Sequence, residues 1–150
     1  MQARSFQTPL GPVTATEDAG AIVRLDWADG CRDDTPLLRA AETQLAAYFA
    51  GTRTVFDLPL RIDASLAQQA VCAAMVAIPL GETRTYGELA RDLGLSAQAV
   101  GQLCGGNPIP IVVPCHRVLG ASTLGGFSAP GGVETKVWLL RHERAAGLLI

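Results

Sequence analysis

Thr85-Tyr86-Gly87-Glu88-Leu89-Ala90-Arg91-Asp92-Leu93-Gly94-Leu95-Ser96-Ala97-Gln98-Ala99-Val100-Gly101-Gln102-Leu103-Cys104 holds the start and stop signals of two short helices. Thr85 followed three residues later by Glu88 is a capping box, so a helix is predicted over Tyr86–Leu93. Gly94 ends it, because glycine tolerates the left-handed conformation of a helix terminus. Leu95 links, and Ser96 caps a second helix that runs to about Cys104 before Gly105 and Gly106. Two short helices around a tight glycine turn suggest a helix-turn-helix. Many helical hairpins share this pattern, so DNA is one partner among several at this point. The second helix offers a slim face of Ala97, Gln98, Ala99 and Gly101. A major-groove reader normally presents Arg, Lys, Asn or Gln to base edges. A slim face suits the narrower minor groove, and equally suits tight packing against another helix.

Upstream, Ser65 with Gln68 predicts another capping box, and Val71, Met75 and Ile78 follow at helical spacing until Pro79 and Gly81. The first sixty residues read differently. Ser5–Thr8, Val13–Thr16 and Ala21–Trp27 are short strands separated by Gly11-Pro12 and by Glu17-Asp18-Ala19-Gly20. Thr35 as cap and Pro36 in the first turn open a helix that buries Leu38, Ala41, Leu45, Tyr48 and Phe49 and stops at Gly51. Thr52–Phe56 is expected to return to strand. Asp57–Asp63, with Pro59 inside it, marks a boundary between domains at residues 1–62 and 63–150.

Composition bounds the function. Of 150 residues 49% are hydrophobic and 17% charged, which fits a packed globular protein. No apolar run approaches the ~20 residues needed to cross a bilayer, so no membrane association is expected. Met1–Thr8 lacks the apolar core of a secretion signal. Cys31, Cys72, Cys104 and Cys115 form no CxxC pair, so free thiols in a reducing, cytoplasmic setting are expected. The net charge of −2 is unlike that of a simple nucleic-acid binder. Its distribution is uneven: residues 1–63 hold six Arg against nine acidic residues, whereas residues 64–150 hold five Arg and one Lys against five. Only the second half is a plausible DNA-facing part.

The chemically loaded segment is Asn107-Pro108-Ile109-Pro110-Ile111-Val112-Val113-Pro114-Cys115-His116-Arg117-Val118. Its three prolines exclude a helix and present rigidly whatever follows. A thiol beside an imidazole meets the elementary requirement of a nucleophilic cysteine, since the thiolate is reactive and histidine takes the proton. Free cysteines are more often apolar fillers, and the Pro frame raises the functional reading of Cys115 to about even weight with that one. Cys72 lies within a helix, Cys31 in an acidic loop and Cys104 at a helix end.

This segment resembles the active-site signature of the O6-alkylguanine-DNA alkyltransferases, the methylated-DNA–protein-cysteine methyltransferases. The likeness extends through Gly81-Glu82-Thr83-Arg84-Thr85-Tyr86 upstream and Lys136-Val137-Trp138-Leu139-Leu140-Arg141-His142-Glu143 downstream, covering residues 64–147 well. The resemblance implies a ribonuclease H-like α/β N-terminal domain, a three-stranded antiparallel sheet with a helix, supporting a helical C-terminal domain with a winged helix-turn-helix. It implies a monomer without metal, organic cofactor or obligate protein partner. Its substrate would be double-stranded DNA with O6-alkylguanine, with O4-alkylthymine left open.

Roles carry over by resemblance as follows. Cys115 would accept the alkyl group, His116 would deprotonate it through a water, and Glu143, in the C-terminal helix beginning near Val133, would orient the imidazole. Asn107 would hold the turn. Tyr86 would donate to guanine N3, assisted by Lys136. Val118, Phe127 and Ser128 would surround the extruded base, while Tyr86, Ser96, Ala97, Gln98 and Gly101 would meet DNA. Attack at a saturated carbon leaves a thioether that water does not hydrolyse, so each molecule would act once. Gln98 stands where the family carries an arginine, Leu66 and Cys72 where aromatics are common, and Ser128-Ala129-Pro130-Gly131-Gly132 follows an altered loop.

Three other readings compete. Zinc held by Cys115, His116, His142 and Glu143 is disfavoured because neighbouring residues rarely point at one metal. A thiol hydrolase needs an oxyanion hole that nothing upstream of Cys115 suggests. In non-enzymatic alkylated-base binders that flag lesions for other repair, the acceptor cysteine is replaced, typically by Trp.

Overall fold

The computed structural model describes residues Met1–Ala145. The described residues fall into two compact units, Met1–Asp63 and the residues from Ala64 onward.

In the first unit, β1 (Gln2–Thr8), β2 (Gly11–Asp18) and β3 (Ala21–Asp26) form an antiparallel sheet in that order. The helix α1 (Pro36–Phe49) packs on it, N-capped by the Thr35 hydroxyl, which accepts from Leu38 N–H. Leu38, Ala41, Leu45 and Tyr48 are buried at helical spacing, and Val13, Ala15, Val23 and Leu25 are buried at alternating strand positions. The expected strand over Thr52–Phe56 is absent. Phe56 packs instead on Tyr48, with ring centroids 5.6 Å apart. Just beyond it, Gln44 Nε2 donates to Asp57 O and Gln44 Oε1 accepts from Asp57 N–H, so the Asp57 backbone is satisfied by a helix side chain. The chain reaches the sheet only later, where Ile22 N–H donates to Pro59 O and Arg61 N–H to Ile22 O.

The second unit is mainly helical: α2 (Leu66–Val76), α3 (Tyr86–Leu93), α4 (Ala97–Gly105) and α5 (Val133–His142), with a two-residue parallel pair of β4 (Arg84–Thr85) and β5 (Val118–Leu119). At α3 both halves of the Thr85–Glu88 capping box form. Gly94 adopts φ 68°, and Leu95 N–H donates to Ala90 O, which turns the chain into α4. The box at Ser65 forms only in part. Ser65 accepts from Gln68 N–H, but the Gln68 side chain turns inward and donates to Leu103 O at 2.8 Å. A buried amide thus satisfies a carbonyl near the end of α4, which outweighs a solvent-exposed cap. Val71, Met75, Leu89, Val100, Ile109, Ile111, Val113, Val118, Leu139 and Leu140 form the core of this unit. Glu143 is the C-cap of α5 rather than part of the helix, so its side chain leaves from a turn. Among the described residues no helix is long and apolar enough to cross a membrane.

Candidate active site

Asn107 organises the segment that carries the thiol. Its Nδ2 donates to Val113 O at 2.8 Å and its Oδ1 accepts from Ile109 N–H at 3.0 Å, clamping both ends of the Pro-rich turn. Ile111 sits at φ 71° inside that turn, held by Val113 N–H donating to Ile109 O. The chain then enters a single 3-10 turn, Cys115–Arg117, which is wholly buried.

His116 Nε2 lies 2.6 Å from Glu143 Oε2, and both side chains are withdrawn from solvent. Arg117 completes the group: Nε donates to Glu143 Oε1 at 2.8 Å, one terminal nitrogen to Oε2 at 3.1 Å, and the other to Ile78 O at 2.6 Å. Burial by itself raises Glu143, but hydrogen bonds from His116 and Arg117 outweigh it and hold the carboxyl at about 2. Burial lowers His116 below the ordinary imidazole value, overriding the opposing Glu143 carboxylate. The two tendencies fit one state: an ionised Glu143 accepting from a neutral imidazole. A carboxylate only accepts, so the imidazole proton sits on Nε2. Nδ1, buried and without a protein hydrogen bond, is then the basic nitrogen.

Cys115 is itself almost enclosed. Burial pushes its thiol up, while a hydrogen bond from Asn107 and the charge of Lys136 pull it down. The resting group is therefore a thiol that needs a base at the moment of reaction.

Lys136 is fully buried and makes two good hydrogen bonds to carbonyls, Val118 O at 2.7 Å and Gly126 O at 3.1 Å. Its Nζ reaches the Tyr86 hydroxyl at 3.5 Å and stands 5.7 Å from the centre of that ring. Burial brings the ammonium down to about 8, and the nearby Cys115 and Cys104 oppose this. Burial raises the Tyr86 hydroxyl, with the two thiols adding to the effect. Tyr86 is thus held protonated beside a cation.

A cavity of about 350 Å³ opens beside Cys115 and Tyr86, lined by these two with Gly101, Cys104, Gly105, Gly126, Phe127 and Ser128. Its size lies within the usual range of small-molecule sites. Of the residues expected around a base, Phe127 and Ser128 face this cavity. Val118 does not: it is fully buried, and its carbonyl serves Lys136. Ser96 caps α4 by accepting from Ala99 N–H, Ala97 and Gln98 are exposed, and Gly101 belongs to the cavity wall.

Sequence reasoning missed Arg117, Cys104, Gly105, Gly125 and Gly126. Arg117 stood in plain view within the Pro-framed segment, but nothing local tells a buried arginine from a surface one. Gly125 is needed for contact: at φ 73°, an added Cβ would lie 2.6 Å from the Tyr86 hydroxyl. Among the described residues no group of three or more His, Cys, Asp or Glu could hold a metal ion. His142 stacks on Trp138, with ring centroids 5.0 Å apart.

Fold and site together define a helix-turn-helix protein with a cysteine and a hydroxyl-bearing ring lining one cavity and a buried imidazole–carboxylate pair next to the cysteine in the chain. The profile of the 6-O-methylguanine DNA methyltransferase DNA binding domain matches residues 66–145, and that of the ribonuclease-like domain of the same proteins matches residues 1–62. The chain belongs to the 6-O-methylguanine DNA methyltransferase family. The methylated-DNA–protein-cysteine methyltransferase of Mycobacterium tuberculosis is 39% identical over 153 residues, covering 95% of this chain and 92% of that protein. The constitutive enzyme of that name from Bacillus subtilis is 40% identical, with 92% of each chain covered. A crystal structure of M. tuberculosis OGT in complex with DNA superposes with a TM-score of 0.87 at 39% identity, covering 96% of this chain and 93% of that one.

Proposed function

We propose that this protein repairs DNA by direct reversal, moving the alkyl group from guanine O6 to its own Cys115. The observation that carries the reading is that Cys115 and Tyr86 line one cavity. A single bound base can therefore meet a nucleophile and a proton donor together. The sulfur attacks the alkyl carbon, an S–C bond forms and the O6–C bond breaks. The thiol proton passes through a water to His116 Nδ1, and Glu143 stabilises the imidazolium that results. Tyr86, flanked by Lys136, donates toward guanine N3, so that the base leaves neutral. The product is a thioether, which water does not cleave, and the protein is spent after one turnover. No step calls for a metal or organic cofactor.

The target carbon lies inside a duplex, so the nucleotide must be turned out into the cavity, at a cost of a few kcal/mol. The exposed Ala97–Gln98 end of α4 is our candidate for the surface that enters the minor groove, with Ser96 fixing its first turn. We assign catalysis and DNA binding to residues 63–150 and a supporting role to residues 1–62. The protein is taken to act as a monomer on double-stranded DNA. Free thiols at all four cysteines suit a reducing, cytoplasmic compartment.

Peptide mapping after incubation with an O6-methylguanine duplex tests this. The expected product is one S-methylcysteine per molecule at Cys115, with Cys31, Cys72 and Cys104 unmodified. Methylation elsewhere, or none, refutes the assignment. Retained binding to the lesion without any transfer would favour a lesion-flagging protein.

A further inference from the structure

A second thiol shares the cavity with the candidate nucleophile. Of the four cysteines, only Cys104 and Cys115 line it, and both are otherwise buried. Cys72 lies in α2 outside that lining, where its sulfur accepts from Gln68 Nε2 at 3.5 Å. Cys31 belongs to the first unit. The charge of Lys136 acts on both cavity thiols, favouring the thiolate of each. The two are nevertheless unequal. Burial, with the neighbouring Cys115 adding to it, pushes Cys104 up to about 12, and its Sγ donates to Met75 Sδ at 3.6 Å. Cys104 therefore stays a thiol and does not lead an attack on an electrophile. Cys115 takes a hydrogen bond from Asn107 and is followed by His116, so oxidation begins there. Cys104 also stands in the last turn of α4, before Gly105 and Gly106. A helix terminus gives way at little cost, so this sulfur is the one free to move toward its partner.

We infer that Cys104 is a resolving thiol, which under a hydroperoxide closes a disulfide with Cys115 and locks the alkyl acceptor reversibly. In the first step the Cys115 sulfur attacks one peroxide oxygen, the O–O bond breaks, and the sulfenic acid forms with release of an alcohol or water. In the second the Cys104 sulfur attacks the Cys115 sulfur, an S–S bond forms, and the hydroxyl leaves with the Cys104 proton as water. The peroxide is the oxidant, and the two thiols together give up two electrons. The bond itself goes beyond the alkyl-transfer reading, whereas its consequence for repair rests on it. A disulfide holds the acceptor short of the sulfinic acid, from which a thiol is not ordinarily recovered. Cellular thiols reopen it, as they do other transient disulfides of reducing compartments.

Treating the full chain with hydrogen peroxide, capping the remaining thiols and mapping the unreduced peptides tests this. The expected product joins Cys104 to Cys115 within one molecule, lighter by two hydrogens than the separate peptides. Transfer from an O6-methylguanine duplex is expected to fall at least about tenfold and to return to within about twofold after dithiothreitol. In Cys104→Ser and Cys104→Ala, each referred to its own untreated rate, Cys115 should pass on to the sulfinic acid. Recovery there is expected to be at least about fivefold poorer than in the native protein. Cys72→Ser should recover as the native protein does. If the Cys104 variants do not fold, the peptide map of the native protein decides. A bond from Cys115 to Cys72, to Cys31 or to a second molecule overturns the proposal. So does oxidised Cys115 with Cys104 still free. An untreated protein that transfers no methyl overturns the alkyl-transfer reading instead, and the map still decides the bond.

Discussion

Arg117 grips Glu143 with two nitrogens, at 2.8 and 3.1 Å, in a site where the carboxylate is fully buried. The same carboxylate accepts from His116, so one ion pair fixes both the charge of Glu143 and the direction of the imidazole. Breaking a buried pair by removing one partner typically costs about 3–5 kcal/mol, because the other charge is stranded. Glu143→Gln is therefore expected to lower stability by that order and to slow transfer. The double variant Glu143→Gln with Arg117→Met should recover much of the stability and none of the rate. Denaturant titration alongside single-turnover kinetics checks this. Recovery of both would mean that Glu143 acts only through folding.

Acid should weaken both stability and activity. Glu143 titrates at about 2 in the fold against an ordinary value of 4.5. A depressed carboxylate contributes stability that is complete above the unfolded value and lost as pH falls toward the folded one, here between 4.5 and about 2. His116, lowered from 6.5, adds in the same sense, because acid must charge a buried neutral ring. Transfer requires that ring neutral, so its rate should fall on the acid side of 6.5. On the alkaline side Lys136 loses its charge near pH 8, and with it the pull on Cys115. A pH–rate profile should show this second fall in the native protein and not in Lys136→Met.

Tyr86→Phe should slow transfer on the order of a hundredfold while leaving most duplex affinity, since the hydroxyl acts on the departing base. Gly125→Ala tests the same hydroxyl from outside. A Cβ there would overlap the Tyr86 ring edge, and φ 73° strains any non-glycine residue by about 1–3 kcal/mol. The variant should be less stable, and transfer should slow well beyond what that loss explains. Equal losses of rate and duplex affinity in Tyr86→Phe would mean that the ring chiefly positions DNA.

Gln98 is exposed near the start of α4, at the position where the resemblance of the sequence implies an arginine. Gln98→Arg should strengthen duplex binding and speed transfer, because a cation in the narrow groove adds attraction and stacking beside the gap left by the base. Displacing one counterion should steepen the log–log salt slope by about one unit. The gain should shrink with free O6-alkylguanine base, which needs no flipping. An unchanged duplex rate across the salt series would count against this end of α4 entering the groove.

Much of the molecule follows from local chemistry. Thr85 with Glu88, Gly94 and Ser96 place α3 and α4 because caps and glycine stops act within one helical turn. Alternation in Ala21–Trp27 and the period of Leu38, Ala41, Leu45 and Tyr48 declare a strand and a helix face for the same reason. Local rules erred where a distant group offered a better partner: the Gln68 side chain leaves its cap for Leu103 O, and the expected strand Thr52–Phe56 gives way to a segment whose Phe56 ring packs on Tyr48. The sequence marked Cys115 and His116 by their Pro-framed setting, and its resemblance to the family implied Asn107, Tyr86, Lys136 and Glu143. Only the tertiary structure decided what each of them touches. Arg117 meets Glu143 across 26 residues, Lys136 meets Val118 O across 18, and Gly125 accommodates Tyr86 across the cavity wall. Such contacts depend on how helices stack around a buried charge. Low dielectric and excluded water, which no local pattern encodes, make the ion pair strong, the thiol protonated and the imidazole neutral.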